Sequence, residues 1–145
     1  MSDTMVTNGY LQALSDQLEI LMEAPGVLLE KFAASHGVPL NTDKWSTTII
    51  DWSKIDHTTT DFDFDGSEIV ISQKLSESQL QKSSHLIVEL GYDEPVRLVE
   101  TSVFIAHWYS FFAASGFMNV VAFSPEAPNL IEFSDRDFLL RCNFK

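Results

Sequence analysis

The chain has 145 residues, 45% of them hydrophobic and 21% charged, which suffices for the core of one domain and is too apolar for wholesale disorder. Nine bases against 21 acids give a net charge of −12, unevenly spread: residues 1–72 carry −9 and residues 73–145 carry −3. Such a surface repels nucleic-acid phosphates and anionic lipid, both of which are bound through Lys and Arg, and it speeds the encounter with a basic protein.

Cys142 is the only cysteine, so no internal disulfide can form. The opening MSDTMVTNGYLQAL has no base and no unbroken apolar run, unlike a signal or transit peptide. No apolar segment reaches the length of a membrane span. These features predict a soluble, cytoplasmic protein.

Residues 9–24 space Leu11, Leu14, Leu18 and Leu21 by three and four, the stripe of an amphipathic helix with Asn8 as its N-cap. Pro25 suits the first position of a second, short helix that buries Val27, Leu28, Leu29 and Phe32 and stops at Gly37 before Pro39. Residues 45–52, WSTTIIDW, have the composition of a strand. Asp and Phe alternate at 61–64, which sets both phenylalanines on one strand face and both aspartates on the other. Asp65-Gly66 then predicts a hairpin with Phe62 opposite Ile69 and Asp63 opposite Glu68.

Residues 74–83 are polar and suit a loop or a helical turn. Residues 85–90 and 96–100 read as a second hairpin, against a competing helix that would end at Gly91. Residues 101–116, TSVFIAHWYSFFAASG, read as a buried central helix with a hydroxyl cap at its start and a glycine stop. Residues 117–124 suit a strand buried on both faces, with 130–134 as its hairpin partner. Residues 138–144 read as a final strand or edge segment in which Leu140 and Cys142 share a face. The expected fold is a single α+β domain: N-terminal helices and one central buried helix packed on a mainly antiparallel sheet of about five to seven strands.

Catalytic and cofactor signatures do not emerge. Asp61 to Gly66 matches the start of an EF-hand calcium loop, but Ser72 stands at the twelfth position, where a bidentate Glu is needed. His36, His57, His85 and His107 lack metal-ligand spacing, and His107 beside Trp108 suits a core or boundary position. No GxSxG nucleophile turn and no phosphate-cradling glycine loop occurs. The expectation is therefore a non-enzymatic protein with no cofactor and no metal.

The distribution that stands out is acidic. Between residues 55 and 73 lie Asp56, Asp61, Asp63, Asp65 and Glu68, with no base. Trp45 and Trp52 lie just upstream, and Trp52 is taken with the five acids as an aromatic anchor inside a charged rim. The run WYSFFAASGFMNVVAFS…NLIEFS…NF, in a small acidic domain, resembles the immunity proteins that neutralise bacterial toxins. That resemblance implies an inhibitor that binds a basic, often nuclease, toxin domain through an acidic surface.

Two other classes remain open. One is a small ligand-binding domain or enzyme with a pocket near the central helix, using His107 and Tyr109. The other is a structural subunit of a homo-oligomer.

Overall fold

The computed structural model describes residues 9–42, 46–62, 67–91, 94–116, 118–134 and 138–144. Seven strands form one sheet: β1 (Leu18–Ile20), β2 (Thr58–Asp61), β3 (His85–Glu89), β4 (Arg97–Glu100), β5 (Asn119–Phe123), β6 (Leu130–Ser134) and β7 (Leu139–Cys142). Their spatial order is β1-β4-β3-β5-β6-β7-β2, and every neighbouring pair is antiparallel. The helices are α1 (Val27–His36), α2 (Ser67–Ser76), α3 (Thr101–Ala106) and α4 (Trp108–Ala114). The architecture is α+β, with the sheet dominating.

Side-chain alternation along the strands sends two different sets of residues to the two faces. Leu86, Val88, Val99, Val120, Ala122, Ile131, Phe133 and Leu140 project to one face, under α2, α3 and α4. Ile87, Val96, Val121, Phe123 and Leu130 project to the other, under α1 and the irregular segment through Ile50 and Trp52. The central strands β5 and β6 are therefore covered on both faces, which is why residues 117–124 read as a near-continuous apolar run.

The hairpin of β3 and β4, the hairpin of β5 and β6, and the strand at 139–142 fall where the sequence places them. Leu140 and Cys142 do share a face, though β7 is an interior strand, flanked by β6 and β2. Gly37 and Gly116 both adopt the left-handed conformation, φ 66° and 79°, and end their helices.

Four expectations are corrected. Residues 9–24 are not one helix: a 3₁₀ helix at Gln12–Gln17 gives way to β1, because Leu18–Ile20 complete the sheet edge against β4. The second helix starts at Val27, after Gly26 rather than at Pro25, and buries Leu29, Phe32 and Ala33 while Val27 and Leu28 stay half-exposed. Residues 46–52 are not a strand; they make one bridge, Leu40 to Ile50, and then a short 3₁₀ turn at Trp52–Lys54. Residues 67–76 are helical, so the hairpin that would pair Phe62 with Ile69 does not form; Ile69 lies on α2 and is 79% exposed.

The polar stretch 74–83 is the end of α2 and a 3₁₀ turn at Gln79–Lys82. Its Ser78 caps that turn, accepting from the Leu80 amide at 3.2 Å.

The central helix is present but broken at His107, whose φ of −125° separates α3 from α4 with neither Pro nor Gly at the break. The first residue after it, Trp108, is held on three sides. Its ring stacks on Phe133 at 5.0 Å and 3°, meets Phe62 edge-on at 5.7 Å, and its indole N–H donates to the Glu68 carbonyl at 3.0 Å. Thr101 lies inside α3 and does not cap it; its hydroxyl donates to the Ser83 carbonyl at 2.5 Å.

Candidate functional site

The expected contact residues do not gather on a hairpin. Asp56 is exposed in the approach to β2, and Asp61 is exposed at the far end of that strand, five residues away and roughly 16 Å along an extended chain. Glu68 is exposed in the first turn of α2. Asp63, Asp65 and Trp45 lie outside the described residues. Trp52 is not an exposed anchor: it is 4% exposed and its indole N–H donates to Glu132 at 2.9 Å.

An aromatic that the sequence reading did not single out takes that place. Phe138, which leads into β7, is 42% exposed with φ 53°, the only positive φ outside glycine among the described residues. For an aromatic residue that conformation is strained, and it persists only where the surroundings hold it. Two contacts do so. The Phe138 carbonyl accepts from the Phe62 amide at 3.0 Å, and the two rings meet edge-on at 6.2 Å.

Phe62 in turn packs against Trp108, Phe112 and Phe133, so Phe138 is the outermost ring of the core's aromatic cluster. Asp61 pairs with Leu139 beside it. The chain enters segments 63–66 and 135–137 from this same end of the sheet, and those segments contain Asp63, Asp65, Asp135 and Asp137 against the single base Arg136.

At the opposite edge, Asp16, Glu19, Glu100 and His85 line an open cavity of about 380 Å³. Ser84 links His85 Nδ1, at 3.0 Å, to Glu126 Oε1, at 3.1 Å. Sequence alone could not join these positions, since Glu19, His85 and Glu100 come from three strands and Asp16, Ser84 and Glu126 from segments outside them.

The sheet interior holds two further carboxylates that the sequence reading passed over. Glu132, in β6, is fully buried and accepts four hydrogen bonds: from the Ile49 amide (2.7 Å), the Ile50 amide (3.1 Å), Trp52 Nε1 (2.9 Å) and Asn119 Nδ2 (2.9 Å). Burial pushes its pKa up, while these donors work in the other direction. Glu89, in β3, is 6% exposed; its Oε1 accepts from the Gly26 amide at 2.8 Å, at the N-terminus of α1. Burial raises its pKa as well, and among the described residues its Oε2 has no hydrogen-bond partner.

Both carboxylates lie on the α1 side of the sheet, with one strand, β5, between them. The signal was a lone Glu at the close of HLIVE and in the middle of LIEFS, each next to apolar strand residues. Glu132 fastens the irregular segment through Ile49, Ile50 and Trp52 to the sheet, and Glu89 fastens the N-terminus of α1.

The space between the sheet and α3–α4 is filled. Phe104, Trp108, Phe111 and Phe112 are fully buried there, while His107 is exposed and Tyr109 half-buried. Cys142 is buried with its thiol pKa pushed up to about 12, mainly by desolvation, which leaves it inert as a nucleophile. Among the described residues no group of three His, Cys, Asp or Glu side chains is placed to hold a metal ion, and no helix is long and apolar enough to cross a membrane. No protein-family model matches the chain, and no curated protein matches it significantly.

Proposed function

We propose that this chain is a non-enzymatic, cytoplasmic binding protein that docks a basic protein domain, in the manner of an immunity protein covering a toxin. The observation that carries the reading is the β2–β7 end of the sheet. There a strained, exposed aromatic, Phe138, stands beside the exposed Asp61, and the sequence next to both residues is rich in aspartate. An aromatic anchor inside a charged rim is the energetic pattern of an interface. The rim's sign selects a basic partner and accelerates its approach. A nuclease domain is basic because it must hold nucleic acid, so an acidic plug competes for the same charge. A catalytic reading around His107 and Tyr109 has no comparable support, given the aromatic filling beneath them.

The test is capture followed by reconstitution. Immobilised protein is exposed to a host-cell extract at low salt, beside a variant carrying Asp61→Lys and Phe138→Ala. A basic protein retained by the parent and lost by the variant is then purified and titrated back. The reading expects tight binding that weakens severalfold between about 50 and about 200 mM salt. Equal retention by both proteins, or none by either, overturns it. A captured protein that is harmless when expressed alone leaves the docking and removes the immunity.

A further inference from the structure

We infer that the outer edge of β2 receives an extended basic segment of the partner as an eighth strand of the sheet. This deepens the docking reading above and rests on it. Strand β2 closes one end of the sheet order, so one side of its backbone has no strand beside it among the described residues. Which residues face outward follows from the hydrogen-bond alternation of antiparallel pairs.

The Phe62 amide donates to the Phe138 carbonyl, so 62 and 138 are a hydrogen-bonded pair; by alternation 60 pairs with 140 and 58 with 142 in the same way. An independent check comes from the other side of β7. There the Asn143 amide donates to the Leu130 carbonyl, so odd-numbered residues of β7 face β6 and even-numbered ones face β2. The backbone N–H and C=O groups of Thr59 and Asp61 therefore point away from the sheet, and both residues are exposed.

Natural edge strands are commonly guarded by Lys, Pro or a bulge. Thr58–Asp61 has none of the three, and its three threonines favour extended backbone. The charge selects the occupant. Residues 55–73 contain five acids and no base, and the base just before them, Lys54, is committed to Asp51 at 3.4 Å.

A second copy of this chain would bring two such base-free acidic stretches together, with no base in either to offset their charge. A segment with Lys or Arg across from Asp61 and a polar or β-branched residue across from Thr59 fits instead. Backbone hydrogen bonds would supply affinity and the alternate side chains specificity.

The probe is an octapeptide, TKVKTKVK, compared with the same peptide N-methylated on alternate backbone nitrogens, which keeps its charge and removes its strand-forming donors. Amide exchange is followed residue by residue by NMR at low salt. Saturating TKVKTKVK should slow exchange at Thr59 and Asp61 at least about tenfold. It should leave Thr58 and Thr60, already bonded to β7, unchanged, and the N-methylated peptide should do neither.

Thr59→Pro deletes an outward N–H at an edge position where proline is tolerated. It should abolish the effect at Asp61 while Thr60 stays protected, which certifies the fold. If both peptides bind equally and neither changes exchange at Thr59 and Asp61, strand addition is wrong and acidic docking stands. If neither peptide binds at low salt, both ideas fail. Undiminished protection of Asp61 in the Thr59→Pro variant also overturns the strand.

Discussion

The two faces of the sheet solve the same problem in different ways. Under α2, α3 and α4 the contacts are mainly aromatic: Trp108, Phe104, Phe111, Phe112 and Phe133 are fully buried and meet ring to ring. Under α1 and the segment through Trp52, the apolar contacts of Ile87, Val121, Phe123 and Leu130 are joined by Glu89 and Glu132. Regular helices can satisfy their own backbone and need only fill volume. An irregular cover brings amides with no helical partner, and those need acceptors supplied by the sheet. Glu132 meets that need for Ile49 and Ile50, and Glu89 for the first turn of α1.

The aromatic face should fail by loss of volume. Trp108→Ala removes a fully buried ring stacked on Phe133, and truncations of that kind cost about 3–5 kcal/mol. Trp108→Phe, which keeps most of the ring contact, should cost well under half as much. Urea denaturation of the two variants checks this. Equal costs would show that the indole hydrogen bond to Glu68, and not packing, dominates at that position.

The carboxylate face should fail without any loss of volume. Glu132→Gln is nearly isosteric, yet each oxygen of Glu132 accepts two donors. The amide group would replace one acceptor with a donor and turn it against two N–H groups. Leaving buried donors unmatched costs about 1–3 kcal/mol each, so a loss of about 2–3 kcal/mol is expected. Exchange should quicken at the Ile49 and Ile50 amides before the rest of the sheet opens. A substitution cost below about 1 kcal/mol would mean that Glu132 is already protonated in the folded protein.

Much of the aromatic face was legible in the chain, and little of the other. The run 101–116 announced itself because it is apolar almost all round, and the hairpins at 85–100 and 119–134 because apolar segments of β3 and β5 are followed by turn residues and a second strand-like segment. The 9–24 stretch misled because leucines spaced by three and four also suit a 3₁₀ turn followed by an edge strand, and only the pairing of Leu18–Ile20 with β4 decides it. At 67–76, Ser-Glu-Ile-Val-Ile-Ser looks like a strand; in the helix, Ile71 and Leu75 join the buried core cluster that contains Trp108 while Ile69 and Val70 face outward.

For the candidate site, the acidity was readable residue by residue. Its arrangement was not, because Phe138 acquires meaning only from a left-handed backbone and from Phe62, 76 positions earlier.

Glu89 gives the smallest change and the cleanest separation of the two faces. In the unfolded chain each buried glutamate titrates near 4.5, and in the folded protein burial raises both. Between the unfolded and folded values the native state binds more protons than the unfolded one. The stability tied to each group is therefore complete below 4.5 and is lost as pH rises through the raised folded value.

On the aromatic face, Cys142 is buried among the rings and desolvation pushes its thiol up to about 12, above that window. Asp51, held low mainly by its hydrogen bond with Ser53, is exposed and works in the opposite direction, so the informative quantity is a difference between variants. Glu89→Gln keeps an acceptor for the Gly26 amide and alters the oxygen that has no hydrogen-bond partner among the described residues. It should lie within about 1 kcal/mol of the parent at neutral pH. The parent-minus-variant stability should then shrink as pH rises from 4.5 toward neutrality. Trp108→Phe should leave the pH slope untouched. Should the tryptophan variant flatten the slope, or Glu89→Gln leave it as steep as in the parent, the division of labour between the two faces would be wrong.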